Sequence, residues 1–572
     1  MSSSFNWHNP YPTVRMPVFG RNICSTSHPY AAQAGLKMMQ QGGNAIDAAI
    51  AAAAALMIVE PVSNGLGSDC FAIVWDGHEL HGLNASGVSP ADWSLDYFAA
   101  KYGRDAQGFV NRPMRGWDSI TVPGAIAGWD TLHQRFGSLP LADLLQPAIE
   151  IAERGHAVAP IVAHKWAAAV NELSPQPGFA KAFMPHGRAP HTGEMFYFQA
   201  AANALKQIAQ KGIRDFYEGE IASSIIRFAQ EHQAALKASD LANYRPDWVG
   251  TISTRVQGYD VHEIPPNGQG IGALMAMGIL ENLNLGQYPV DGVESQHVQI
   301  EAMKLAFADI YRYVADPRSM EVSPEQMLNP KYLAKRAEQI DLWHATQFKF
   351  GLPNTGGTIY LSAADEEGRM ISFIQSNYMG FGSGVVEPNW GISFQNRGYG
   401  FSSDPQSPNV VAGNKRPFHT IIPAFLTKEV NGKTVPQMSF GVMGGDMQPQ
   451  GHLQTLLRML VYQQQPQTAC DAPRWKVNRD FSLDVEANMD PQTVKGLIER
   501  GHVLKKVDDP YMDFGSGQFI WRLSDRISDG YVAASDSRRD GLAAAYSPSF
   551  GWKTVKMMSF ASTAPLLRKF LC

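Results

Sequence analysis

Residues 356–365 read Gly-Gly-Thr-Ile-Tyr-Leu-Ser-Ala-Ala-Asp. A hydroxyl residue, Thr358, opens a β-like run directly after two glycines. That order suits an intramolecular acyl shift: the hydroxyl attacks the Gly357 carbonyl, and glycine tolerates the strained backbone this needs. Scission between Gly357 and Thr358 would free an α-amine with an ordinary pKa of about 7.7–8.0. Nucleophile and base would then sit in one residue. Taken alone, a threonine after two glycines also reads as a plain strand start, so the flanking sequence has to decide.

Downstream the texture is β-like. TIYLSAAD and RMISFIQS are joined by a polar turn at Glu367-Gly368, and further strand-like runs lie at 391–398, 420–427, 435–445, 481–486 and 531–537. Helical patterns interrupt only at 453–464 and 493–501. Upstream, helical patterns dominate. The Ala-rich stretch DAAIAAAAALMIVEP at 47–61 follows Asn44, a possible N-cap, and must be buried on most sides. Further helical stretches run over 139–154, 198–213 and 295–314, and 316–350 reads as helical and charged. FAIVW and ELHGL, around Asp76-Gly77, read as a hairpin. The chain thus divides into a large, mainly helical region, 1–357, and a small, β-rich region, 358–572. Helices covering two packed antiparallel sheets make an α+β, four-layer αββα sandwich.

At 572 residues, the chain exceeds what one core usually organises, which predicts two or more lobes. A net charge of -5 offers no surplus to neutralise phosphates, so no nucleic-acid partner is expected. Cys24, Cys70, Cys470 and Cys572 match no zinc or redox spacing, which favours a reducing compartment. The N-terminal stretch lacks a basic start and apolar run, and Ala48 to Val59 is too short to span a bilayer. The expectation is a cytoplasmic protein without membrane contact. No metal or cofactor is expected: HELH at 78–81 lacks a helical His pair, and GLG at 65–67 and GSG at 382–384 lack a nucleotide fingerprint.

A second glycine signature, FGVMGGDMQPQGH at 440–452, follows a β-run and precedes a helix. The amides of Gly444 and Gly445 can point at a developing oxyanion; a simple strand-to-helix turn is the other reading.

Together with SHPYAAQAGLKMMQQGGNAIDAA at 27–49, TVPGAIAGWDTLHQRFG at 121–137, NKRPFHTIIPAF at 414–425 and ASDSRRDGLAAAY at 534–546, these residues resemble the γ-glutamyltransferase family across nearly the whole chain. The resemblance implies the N-terminal-nucleophile (Ntn) hydrolase fold and autocatalytic cleavage between Gly357 and Thr358. It implies that Thr358 forms the acyl-enzyme and that Ser376 supports it by hydrogen bonding. Gly444 and Gly445 match the oxyanion pair. His419 and Thr420 occupy the place of a Ser-Ser pair that holds the substrate carboxylate; a neutral packed His419 is the alternative.

The departures from the family pattern are informative. Ser86 stands where the family's carboxylate-binding Arg is expected, Gly398 where its amine-binding Asp is expected, and Tyr378 where an Asn is expected. Arg397, beside Gly398, offers a planar fork suited to a carboxylate, and Arg538 is a second candidate. The expected substrate-binding set is therefore Arg397, His419, Thr420 and Tyr378. The expected substrate is a small-molecule amide whose acyl group carries a carboxylate without a required α-amine, of glutaryl or γ-glutamyl type. The sequence looks most like the divergent bacterial capsule depolymerase and cephalosporin acylase branches. The two fragments would remain partners after cleavage, and a homo-oligomer is left open. The rival expectations are a true transferase of glutathione metabolism and a catalytically dead relative serving as a scaffold.

Overall fold

The computed structural model describes residues 7, 11, 13–346, 357–509 and 514–548. The run after the glycine pair forms the strand Gly357–Ala364, which turns at Glu367-Gly368 and returns as Met370–Tyr378. These strands lie inside a seven-stranded sheet with the order 542–546, 22–26, 357–364, 370–378, 69–75, 80–85, 247–248. Every neighbouring pair is antiparallel. The expected hairpin is present, with Asp69–Trp75 paired to Leu80–Ala85 around Asp76-Gly77. A second antiparallel seven-stranded sheet has the order 18–20, 531–535, 516–522, 433–443, 424–430, 259–263, 252–256.

The sheets bury their facing sides against each other through Phe71, Ile73, Tyr360, Ile374, Phe425 and Ile520. Helices cover both outer faces. Pro29–Gln40, Ala45–Val59, Ala125–Phe136 and Leu141–Arg154 lie over the first sheet, and Gly270–Leu280, Val293–Tyr313 and Met447–Leu460 over the second. The result is the expected four-layer αββα sandwich.

The central Ala45–Val59 helix is buried along its whole length. Asn44 caps it, with its side chain accepting the Ile46 and Asp47 amides while Asp47 bonds back to the Asn44 amide at 2.9 Å. Its alanines leave room for the 29–40 and 141–154 helices to approach on one side and the sheet on the other. No helix among the described residues is long and apolar enough to cross a membrane.

The two-lobe expectation gives way to shared sheets. Residues before 357 supply strands 22–26, 69–75, 80–85 and 247–248 to the first sheet and 18–20, 252–256 and 259–263 to the second. The helical bias upstream of 357 and the β-rich character downstream are both present, but strands from the two parts share the same sheets. Either part alone would leave strand edges unpaired. The 316–350 stretch differs from the continuous helix expected. Only Pro324–Met327 and Pro330–Ala337 are α-helical there, because each proline starts a new helix and cannot continue the old one; residues 347–350 lie outside the described residues.

Candidate active site

Thr358 sits at the start of its strand, 1% exposed. Opposite it the ladder slips: Gly357 pairs with Tyr378, but Ile359 pairs with Gln375. Ser376 and Asn377 therefore face the single residue Thr358, a bulge of the kind found beside active sites. Tyr378 accommodates the slip with a left-handed φ of 82°, a strained conformation for a bulky residue. The bulge brings Thr358 Oγ1 to 3.1 Å from Ser376 Oγ.

Ser376 is tied in turn to Arg397. Arg397 Nη2 donates to Ser376 Oγ at 2.8 Å, and Nη1 donates to Thr420 Oγ1 at 2.7 Å. The guanidinium lies 4.5 Å from the Tyr378 ring centroid, a cation–π contact. The strand expected over 391–398 shortens to Ile392–Ser393 with a bridge at Phe394, and its end at 397–398 enters the turn Arg397–Gly400. Gln395 drives the turn, with its side chain accepting the Arg397 amide at 2.7 Å.

Arg397 is 1% exposed, yet among the described residues no carboxylate lies within 4.0 Å of it. Its Nε has no hydrogen-bond partner among the described residues. Burial lowers its pKa to about 10, against the pull of Asp69 and Tyr378. Such a cation is stable only because its field is partly answered at longer range.

Gly444 and Gly445 have φ of 120° and 59°, conformations that glycine adopts without penalty. They turn the chain from the strand Lys433–Met443 into the helix Met447–Leu460. Neither amide donates to a protein acceptor among the described residues. Gln269 joins this turn to the rest, its Nε2 donating to the Thr420 carbonyl at 2.7 Å and to the Gly445 carbonyl at 2.9 Å. One hydrogen-bonded chain thus runs from Thr358 through Ser376, Arg397, Thr420 and Gln269 to Gly445.

His419 is enclosed, with both ring nitrogens engaged by the protein. It is fully buried, its Nε2 lies 2.9 Å from Asp69 Oδ2, and its Nδ1 accepts the Ile421 amide at 3.4 Å. Both ring nitrogens are committed, so the packed, neutral alternative describes it. Burial lowers its pKa well below the ordinary imidazole value, with Arg397 and Arg416 adding to the effect. Arg538 is likewise drawn away from any ligand role. It forms a two-pronged pair with Glu486, at 2.7 and 2.6 Å, and bonds Asp536 at 3.0 Å.

Asp69 and Gln269 were missed by the sequence reading. Asp69 carried a faint signal, an acidic residue opening the otherwise apolar run DCFAIVW. Gln269 carried none. Gly398 has a steric explanation: a Cβ there would stand 2.5 Å from the Trp93 ring and 2.8 Å from the Ser119 carbonyl. The family's amine-binding Asp has no room. His297, Glu301 and His502 also converge, but the Lys304 amine sits among them, 3.1 Å from Glu301 and 3.2 Å from His502. The protein's own cation occupies that cluster.

The layered architecture is that of the Ntn hydrolases. A solved structure, the cephalosporin acylase of Bacillus halodurans, superposes with a TM-score of 0.89 at 44% identity, covering 96% of this chain and all of that one. The sequence pattern of the family described as gamma-glutamyltranspeptidase matches residues 31–546. A glutathione hydrolase-like proenzyme of Bacillus subtilis is 35% identical, covering 91% of this chain and 98% of its own length. The oxamate amidohydrolase proenzyme of Klebsiella pneumoniae is 34% identical, covering 91% and 97%. The chain belongs to the γ-glutamyltranspeptidase family and is an enzyme of its hydrolase and acyltransferase type.

Proposed function

We propose that the chain cleaves itself between Gly357 and Thr358 into parts 1–357 and 358–572, and that the mature enzyme hydrolyses amides of small acyl groups carrying a free carboxylate. The observation that carries this reading is the buried Arg397 fork with no carboxylate of its own, one hydroxyl away from Thr358. A carboxylate on the acyl chain supplies the missing charge through charge-assisted hydrogen bonds. The space an α-amine binder would need is filled by Trp93, which disfavours a glutamyl head. A relative named as an oxamate amidohydrolase lends support to a carboxylate-bearing acyl group, while others are named as glutathione hydrolases, which makes glutathione the comparison substrate.

In this mechanism the freed amine of Thr358 takes the proton from Oγ1, which attacks the amide carbon. The Gly444 and Gly445 amides receive the oxyanion, each worth about 2.7–4 kcal/mol in the transition state. Ser376 and Arg397 hold the nucleophile and the acyl chain in register. The amine departs toward a cleft of about 580 Å³ bounded by Tyr311, Tyr378, Tyr399, Phe401 and Phe418, and water resolves the acyl-Thr358 ester.

Intact-mass spectrometry tests the first step. Fragments of 357 and 215 residues (572 − 357) are expected, and Thr358→Ala leaves one uncut, inactive chain. A cleaved or active Thr358→Ala protein would overturn the assignment. Rates on glutaryl, succinyl and oxalyl amides against glutathione test the second, and faster turnover of glutathione would reverse the substrate reading.

A further inference from the structure

Asp69 and His419 form a buried pair that the mechanism above leaves unused. Both are fully buried. Because His419 Nδ1 accepts the Ile421 amide, the single ring proton sits on Nε2 and is donated to Asp69 Oδ2. The imidazole is neutral, and the pair carries one negative charge, on Asp69. The other Asp69 oxygen accepts the Gly124 amide at 3.2 Å. Strand register sets Asp69 opposite Ser376, the residue that Arg397 grips. Asp69 therefore acts on Arg397 through space, without a direct ion pair.

We propose that Asp69, held by His419, is the internal counter-charge of Arg397, and that a bound acyl carboxylate takes over this role while a proton moves onto the Asp69–His419 pair. The proposal rests on the carboxylate reading of Arg397. In the free enzyme, one cation and one anion balance in a dry site. An added carboxylate leaves that site with a net negative charge, which a low-dielectric interior penalises. A proton on the pair restores neutrality.

Asp69 is suited to the exchange. Burial pushes its carboxyl up to about 7, despite Arg397, the Gly87 and Gly124 amides and Arg416. The groups facing the pair are the cations Arg397 and Arg416, the Ile421 amide, the Phe71 ring at 4.9 Å from the His419 ring, and the neutral Cys70, Tyr217 and Tyr244. Burial pushes those last three up. The remaining group that titrates near neutrality is the Thr358 amine freed by scission, at about 7.7–8.0 when unperturbed. The sign follows directly. Anion binding raises the Asp69 pKa, so affinity is highest and flat below the free-enzyme value and falls as pH rises above it.

The test is calorimetric titration of the cleaved enzyme with butyrate, a monoanion with no second titrating group, in two buffers of different ionisation heat. Wild-type affinity should weaken by up to about tenfold per pH unit above roughly pH 7, with proton uptake approaching one. Asp69→Asn should abolish that uptake and, near pH 9, bind butyrate more tightly than wild type. His419→Asn, which removes the donor to Asp69, should move the onset of weakening to higher pH. Asp69→Asn that keeps the wild-type pH dependence assigns it to the Thr358 amine and overturns the proposal. So does an Asp69→Asn protein that binds more weakly at every pH, an unchanged onset in His419→Asn, or a wild-type affinity that is flat with pH. No butyrate binding at any pH overturns the carboxylate reading of Arg397 itself, and this proposal with it.

Discussion

Arg397 and Arg538 are both buried arginines of the β-rich region, 1% and 5% exposed. Arg538 is saturated: Glu486 and Asp536 neutralise it, and the carbonyls of Cys470 and Ala472 take further protons. Arg397 meets two hydroxyls and an aromatic face, and one of its protons has no acceptor among the described residues. Burial lowers the pKa of both, but at Arg538 the carboxylates of Asp536 and Glu486 outweigh it and the value rises, whereas at Arg397 it falls to about 10. A buried charge with all its partners holds a fold together. One left incomplete beside buried hydroxyls is what the proposed carboxylate ligand would complete.

Substitutions can break this contrast. The largest effect on folding is expected from Glu486→Ala. Removing one member of a buried pair costs about 3–5 kcal/mol, read as a lower denaturant midpoint, while activity of the protein that remains folded persists. Arg397→Met should do the reverse. Stability holds or rises, and kcat/KM on carboxylate-bearing amides falls by about 2–5 kcal/mol in transition-state binding, roughly 30-fold to several thousandfold. If Arg397→Met unfolds the protein and leaves kcat/KM intact, the two arginines have been assigned the wrong way round. The smallest effect sharpens the reading of the pocket. Gly398→Asp restores the family's acidic residue but presses on Trp93, so it should cost about 1–3 kcal/mol in stability without bringing glutathione turnover.

Much of the architecture was legible locally. The Asn44 cap and Ala-rich run specified a buried helix, Asp76-Gly77 a hairpin and Glu367-Gly368 a strand turn, since each depends on neighbours a few residues apart. The run over 391–398 misled because its pattern is strand-like, while the Gln395 side chain bonds the Arg397 amide and folds the chain into a turn. The 316–350 segment misled because charged, helix-favouring composition masked the proline starts.

The sequence by itself determined the layered fold and the family, because those signals lie in runs of consecutive residues. Only the tertiary structure decided which charges are complete. Asp69 meets His419 across 350 positions, Arg397 meets Ser376 because a bulge shifts the register, and Trp93 fills the space beside Gly398. Electrostatic saturation depends on what lies within a few ångströms in space, and that is fixed by strand register and packing between segments far apart in the chain.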